Sequence, residues 1–252
     1  MTRGKRMKKN NNTKIIFYFI IYFLLFFVLI YSGIKIYEWY RDKNKNNEIA
    51  KKIKETVIVE SNGKNKEEYL IDFDKLKEQN NEAIAWIKVN NTNIEYPVVK
   101  TKNNEFYLNH SFDKSENLGG WIFADYKNKF NGTDKNIVIY GHNMKDNSMF
   151  GTMQNILNPE WYNNEENTNI ILKTEGKNYI YKVFSIYRIE NEDYYIKTEF
   201  SNDSEFEQFL NTLKARSIRD FNMDMLESDS ILTLSTCDNN NKYRVVLHAK
   251  KI

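Results

Sequence analysis

The sequence predicts a mostly β domain with a few added helices, arranged as a small closed or nearly closed barrel behind a single membrane-spanning helix. Three observations carry that prediction. An uncharged apolar run lies near the N-terminus. About eight short segments rich in Val, Ile and aromatic residues follow, bounded by Asn, Gly or Asp. Few stretches place apolar residues at helical spacing. Closing a sheet on itself removes exposed edges, which favours a barrel; a two-sheet sandwich is the competing arrangement.

Residues 1–14 form a basic tail with Arg3, Lys5, Arg6, Lys8, Lys9 and Lys14. Residues 15–34 carry no charge and are long enough to cross the hydrocarbon core as a helix, which takes ~20 residues. The run exceeds a signal-peptide core, and Tyr37, Trp39 and Tyr40 follow it, side chains suited to a membrane interface. An uncleaved anchor over residues 15–37 is therefore expected, with the chain held at the cell membrane by a single pass. The basic residues before the span favour a cytoplasmic N-terminus; Lys35, Arg41, Lys43 and Lys45 beyond it reduce that bias. Residues 38–66, rich in Lys, Asn and Glu, suit a stalk or frayed helix. Residues 67–252 remain as one extracellular domain of ordinary size.

Within that domain, residues 67–80 set Leu70, Phe73 and Leu76 at helical spacing, and residues 149–157 predict a short helix ending before Pro159. Residues 203–218 put Phe206, Phe209, Leu210 and Leu213 on one face, with Asp203 or Ser204 as N-cap. Strands are expected at 84–89, 94–99, 121–124, 137–140, 169–173, 179–189, 231–237 and 243–249.

Charge excludes one class of partner. Of 37 basic and 34 acidic residues, 13 and 3 fall within residues 1–54, so the remainder is net acidic. The basic excess belongs next to anionic lipid headgroups, and the acidic domain lacks the basic face that nucleic-acid binding needs.

Chemistry centres on Cys237, the single cysteine. An unpaired thiol outside the membrane is a liability unless it pairs with another chain or reacts. If residues 239–242 form the loop of the last hairpin, Cys237 faces Arg244, with Cβ atoms about 4.5–5.5 Å apart. A loop one residue longer or shorter shifts that facing. Arginine there lowers a thiol pKa and donates to an oxyanion; the bland alternative is a strand arginine paired with a surface carboxylate. Three histidines are available as a base. His142, at the end of Tyr140-Gly141-His142-Asn143-Met144, sits where a strand ends at a barrel rim. His110 reads as a satisfied structural histidine, and His248, among Val245, Val246 and Leu247, as a packed or surface strand residue.

No Cys/His cluster has zinc spacing, and neither a Gly-x-Ser-x-Gly elbow nor a Walker-type phosphate loop is present. Residues 125–134 lack the EF-hand pattern and read as loops, and Glu165-Glu166 as solvated charge. No metal and no cofactor is implied.

Tyr140-Gly141-His142-Asn143-Met144, Thr233-Leu234-Ser235-Thr236-Cys237 and Arg244, in that order behind one anchor, resemble a sortase. Sortases are membrane-anchored cysteine transpeptidases of Gram-positive bacteria. The Ser-Thr-Cys ending, the stretch from Tyr96-Pro97-Val98-Val99 to Tyr107-Leu108-Asn109-His110, and a helix-bearing insertion between Ile189 and Ile231 resemble class B. The resemblance covers residues 67–252. It implies an eight-stranded sortase barrel with class B's added helices, and cleavage of a C-terminal sorting signal like Asn-Pro-x-Thr-Asn/Gly after Thr. Cys237 is then the nucleophile, His142 the acid and base, and Arg244 the oxyanion donor. Asn104, Leu108, Tyr140, Tyr195, Ile196 and Ser235 are candidates for lining the signal groove. The implied partners are secreted proteins bearing the signal and a peptidoglycan or lipid-linked precursor amine. A pilin-polymerising enzyme with a lysine acceptor, or a non-enzymatic tethered binding domain, remain the alternatives.

Overall fold

The computed structural model describes residues 11–60, 69–190, 192–237 and 242–252, the side chains of residues 11–13, 59, 60 and 237 excepted. Helix α1 spans Asn11–Val57. The chain divides into two compact units, Met1–Lys43 and Asn44–Ile252. In the first, α1 is long and apolar enough to cross a membrane, and none of its apolar stretch is buried among the described residues. Side chains such as Phe19 and Leu29 are fully outward-facing, a surface that is stable in lipid and costly in water.

In the second unit, the last turns of α1 belong to the domain. Ile53 and Val57 lie in its main core, and Asn46 is buried too. Residues 44–57 of the segment expected as a stalk or frayed helix are thus helical and belong to the domain, while its residues 61–66 lie outside the described residues. Strands β1 (Ile58–Glu60) and β2 (Tyr69–Ile71) follow as a two-stranded antiparallel sheet. This corrects the expectation of a helix beginning at residue 67. Tyr69 and Ile71 pack on the core while Leu70 is exposed, so period-two alternation wins over helical spacing. Helix α2 (Phe73–Gln79) begins only after Asp72, whose side chain accepts from the Lys75 N–H and caps it.

The remaining strands are β3 (Ala83–Val89), β4 (Glu95–Val99), β5 (Phe123–Ala124), β6 (Asn136–His142), β7 (Asn169–Thr174), β8 (Lys177–Glu190), β9 (Ile231–Cys237) and β10 (Tyr243–Lys251). They close into the expected eight-stranded barrel, in the order β10-β8-β7-β3-β4-β5-β6-β9. Two neighbour pairs are parallel, β4 with β5 and β6 with β9. Short helix α3 (Pro159–Tyr162) and a 3₁₀ turn over Gly151–Leu157 lie between β6 and β7; the latter replaces the helix expected from residue 149.

Alternation along the strands builds two cores. Leu232 and Leu234 of β9, with Val245, Leu247 and Ala249 of β10, fill the barrel. Ile231 and Val246 belong instead to a second cluster outside it. That cluster is closed by α4 (Asp203–Arg216), whose Phe206, Phe209, Leu210 and Leu213 are all buried, as their spacing predicts. The N-cap is Asn202, one residue before the expected position. Its backbone is extended and its side chain accepts from Glu205 N–H at 2.9 Å, leaving Asp203 and Ser204 inside the helix.

Candidate active site

Three adjacent strands build the site. The β6–β9 ladder runs in parallel from Asn136↔Ile231 to His142↔Cys237, so His142 and Cys237 end neighbouring strands at the same level of the barrel. Strand β10 runs antiparallel to β9, with Val246 opposite Ser235 and His248 opposite Thr233. The pairing runs as far as Val246 and Ser235, two residues short of Arg244 and Cys237, and residues 238–241 of the joining loop, on which the expected facing depends, lie outside the described residues. The last main-chain rung is replaced by a side chain, since Thr236 Oγ1 accepts from the Val245 N–H at 2.9 Å. Arg244 is half-buried and faces Ile189 of β8. Period-two alternation then stacks three rows on one face: His142 and Cys237; Tyr140, Ser235 and Val246; Val138, Thr233 and His248.

His142 is half-buried, and its Nε2 lies 2.9 Å from the Leu108 carbonyl. A carbonyl only accepts, so Nε2 carries the proton, and in the neutral ring Nδ1 is the basic nitrogen. Leu108 ends a 3₁₀ turn, Phe106–Leu108. Gly120 holds this turn close. Its φ is +54°, and a Cβ there would lie 2.4 Å from the Tyr107 oxygen, 2.8 Å from the Leu108 oxygen and 3.0 Å from His142 Cδ2. Gly141 plays the equivalent part behind the strand, where a Cβ would meet Phe150 Cγ at 2.6 Å.

The second row is tied together by hydroxyls. Tyr195 follows β8 in a 3₁₀ turn (Tyr194–Ile196), and its OH lies 2.9 Å from Ser235 Oγ. Ile196, half-buried, packs against both cores. On the other side, Asp125 Oδ2 accepts from Tyr140 OH at 2.9 Å and from Asn104 Nδ2 at 2.8 Å. Asp125 itself is only 3% exposed, and its Oδ1 accepts from Lys127 N–H. Of the six candidate groove residues, Asn104 and Tyr140 are joined through Asp125, Tyr195 and Ser235 bond to each other, Leu108 bonds His142, and Ile196 packs beside the cores.

Sequence reasoning missed Asp125, which read as part of a polar loop. A signal was available: Ala124-Asp125 ends an apolar run, where a buried carboxylate must find donors. It also missed the third row. His248 has 0% exposure; its Nε2 is 2.8 Å from Tyr187 OH and its Nδ1 2.9 Å from Thr233 Oγ1. The chain of bonds continues from Thr233 to Asn136 Oδ1 at 2.7 Å and from Tyr194 OH to Tyr187 at 3.0 Å. Burial drives the His248 pKa down to about 3, so the ring is neutral, and pushes the Tyr187 hydroxyl pKa up. His110 stacks on Phe106 at 4.0 Å, with Nδ1 2.8 Å from the Phe106 carbonyl, a satisfied histidine as expected. The turn at residues 125–134 is closed by Asp134, which accepts from Lys129 N–H and Phe130 N–H.

Comparison with known proteins identifies the family. A family model for the sortase domain matches residues 87–252. Sortase B of Listeria monocytogenes is 34% identical over 233 residues, covering 89% of this chain and 92% of its own. The structure of sortase B from Bacillus anthracis in complex with AAEK2 superimposes with TM-score 0.74 at 31% identity, over 83% of this chain and 96% of that one. A Staphylococcus aureus sortase B–substrate complex gives TM-score 0.67 at 34% identity, over 71% and 84%. The chain belongs to the sortase family and, within it, to the sortase B-type cysteine transpeptidases.

Proposed function

We propose that this transpeptidase cleaves a C-terminal sorting signal resembling Asn-Pro-x-Thr-Asn/Gly after its Thr and joins the secreted protein to a peptidoglycan amine. The observation that carries the reading is the parallel β6–β9 pairing, which levels His142 with Cys237 at one rim of the barrel. The Cys237 thiolate attacks the Thr carbonyl carbon. As the C–N bond breaks, protonated His142 gives its proton to the leaving amine, and a thioester remains on Cys237. The acceptor amine then loses a proton to His142 and attacks the thioester, and departure of the sulfur restores the thiolate. Arg244 donates N–H groups to the oxyanion in both steps. Thiolate and imidazolium titrate as a pair, so the active ionic form is one member of a coupled equilibrium.

In this reading residues 15–37 anchor the chain at the cell membrane by a single pass, with residues 1–14 in the cytoplasm and the catalytic domain outside. The signal lies along the rim, against Asn104, Leu108, Tyr140, Tyr195, Ile196 and Ser235. The test is a panel of sorting-signal peptides offered with amine acceptors and followed by mass spectrometry. The expected products are the peptide cut after Thr, an acylated Cys237, and the acceptor adduct. Cleavage at another bond, or acylation of another residue, overturns the reading; a preference for a lysine side chain over a peptidoglycan amine moves it to pilin polymerisation.

A further inference from the structure

We propose that Asn46, on the last turns of α1, is a positioning residue for His142, so that the segment following the anchor is part of the catalytic apparatus. The inference rests on the reading of His142 as the acid and base.

Asn46 is 3% exposed, an unusual place for an amide, and its polar atoms are engaged. Its Nδ2 donates to the Gly120 carbonyl at 3.0 Å and to Asn117 Oδ1 at 3.1 Å, while Ser111 Oγ donates to its Oδ1. Ser111 and Asn117 are buried as well. Docking alone does not call for an amide here, because Ile53 and Val57 of the same helix already bury apolar surface in the core. A buried polar cluster adds geometry: its members hold one arrangement, because any other leaves a donor or acceptor unpaired.

That arrangement leads directly to the catalytic ring. The carbonyl that Asn46 holds belongs to Gly120, whose Cα lies against His142 Cδ2 and the Leu108 oxygen so closely that no Cβ fits. The segment between is braced by Trp121 N–H to the Tyr107 carbonyl and Asn117 N–H to the Asn109 carbonyl, both 2.9 Å. The Leu108 carbonyl, inside this brace, accepts the His142 Nε2 proton and so fixes both ring orientation and tautomer. Loosening Gly120 loosens the acceptor that keeps Nδ1 as the basic nitrogen. Displacements of ~1 Å in such a site cost up to about 100-fold in rate.

The experiment uses the full chain in detergent micelles with ¹⁵N-labelled histidine. The chain has three histidines, so each ring is resolvable. Asn46→Leu keeps the volume and removes the hydrogen bonds; Ser111→Ala removes one bond only; Ile53→Ala weakens docking without touching the cluster. We expect Asn46→Leu to shift His142 from the Nε2–H tautomer towards a mixture and to lower kcat about tenfold, with KM within about twofold. Ser111→Ala moves the same signals by less, and remains decisive if Asn46→Leu does not fold. Ile53→Ala lowers the melting temperature and leaves the His142 tautomer alone. A wild-type His142 spectrum in both Asn46→Leu and Ser111→Ala overturns the inference, as does an equal tautomer shift in Ile53→Ala. If His142→Ala cleaves the peptide as well as the wild type, the catalytic reading fails instead; the spectra still decide whether Asn46 holds the ring.

Discussion

Acidification from pH 7.5 to 5 should destabilise this protein through one buried residue, His248. In the folded chain its ring is wholly buried, and burial drives its pKa down to about 3, whereas an unfolded histidine titrates near 6.5. The unfolded chain therefore binds this proton first as pH falls. The histidine's contribution is complete above pH 6.5 and is lost progressively as pH drops towards 3. Between pH 7.5 and 5 the linkage amounts to about 2 kcal/mol, a large share of the 5–15 kcal/mol that holds a typical domain. Burial raises Glu95 and Asp113, but hydrogen bonds from Tyr69 and Lys54 to the first and from Ser115 and Lys45 to the second outweigh it and hold both below the ordinary carboxylate range, so their losses come at lower pH. The rings around His248 are Phe184, Tyr187 and Tyr195, which do not titrate in this window. The assay is urea unfolding of the full chain at pH 7.5, 6 and 5, followed by the fluorescence of the buried Trp86 and Trp121. His248→Gln is the reference, because every other group is common to both proteins and cancels. The stability gap between wild type and His248→Gln should shrink by about 2 kcal/mol from pH 7.5 to pH 5, a shift of ~1 M in urea midpoint. Parallel curves for the two proteins would refute the argument.

Three further outcomes are expected. Replacing Arg244 with Lys keeps the charge and loses the fork of donors, so kcat with a sorting-signal peptide should fall about 100-fold while the melting temperature holds; an unchanged kcat would remove Arg244 from the oxyanion role. Asp125→Asn turns one acceptor oxygen into a donor opposite Tyr140 and Asn104, and should cost about 1–3 kcal/mol in urea unfolding and raise KM for the peptide. Gly120→Ala places a methyl group where the Tyr107 oxygen is 2.4 Å away, at a φ that L-residues resist; it should destabilise by more than ~1 kcal/mol and reduce kcat, both read on the same preparation.

The barrel was legible because its strands are runs rich in Val, Ile and aromatic residues bounded by Asn, Gly or Asp, and β9 begins and ends where the sequence places it. Helix α4 was legible from apolar residues at period 3.6, and only its cap slipped, since Asn202, Asp203 and Ser204 are all competent and backbone geometry chooses among them. What local pattern could not convey was whatever depends on distant contacts. Tyr69–Ile71 pairs with Ile58–Glu60, a partner with no local signature, so a helical reading of Leu70 and Phe73 was equally consistent. Asn46 sits in a polar run that reads as solvated until Ser111, Asn117 and Gly120 arrive to bury it. His248 was ambiguous because Val245-Val246-Leu247 does not say what covers the barrel's outer face. Of the site, Cys237 and His142 stood out by scarcity and position, whereas Asp125 looked like one of many loop acids.

The parallel pairing of β6 with β9 also bears on when the thiol acquires chemistry. Parallel neighbours cannot be joined by a tight turn, and residues 143–230, including β7, β8 and α4, are threaded between these two strands. Contacts of such sequence separation form late, because the intervening chain must first be ordered. Until that seam zips shut the cysteine has no imidazole beside it and stays an ordinary, weakly nucleophilic thiol. In the proposed mechanism a half-assembled molecule thus carries its nucleophile unarmed, and the last stitch of the fold is also the trigger.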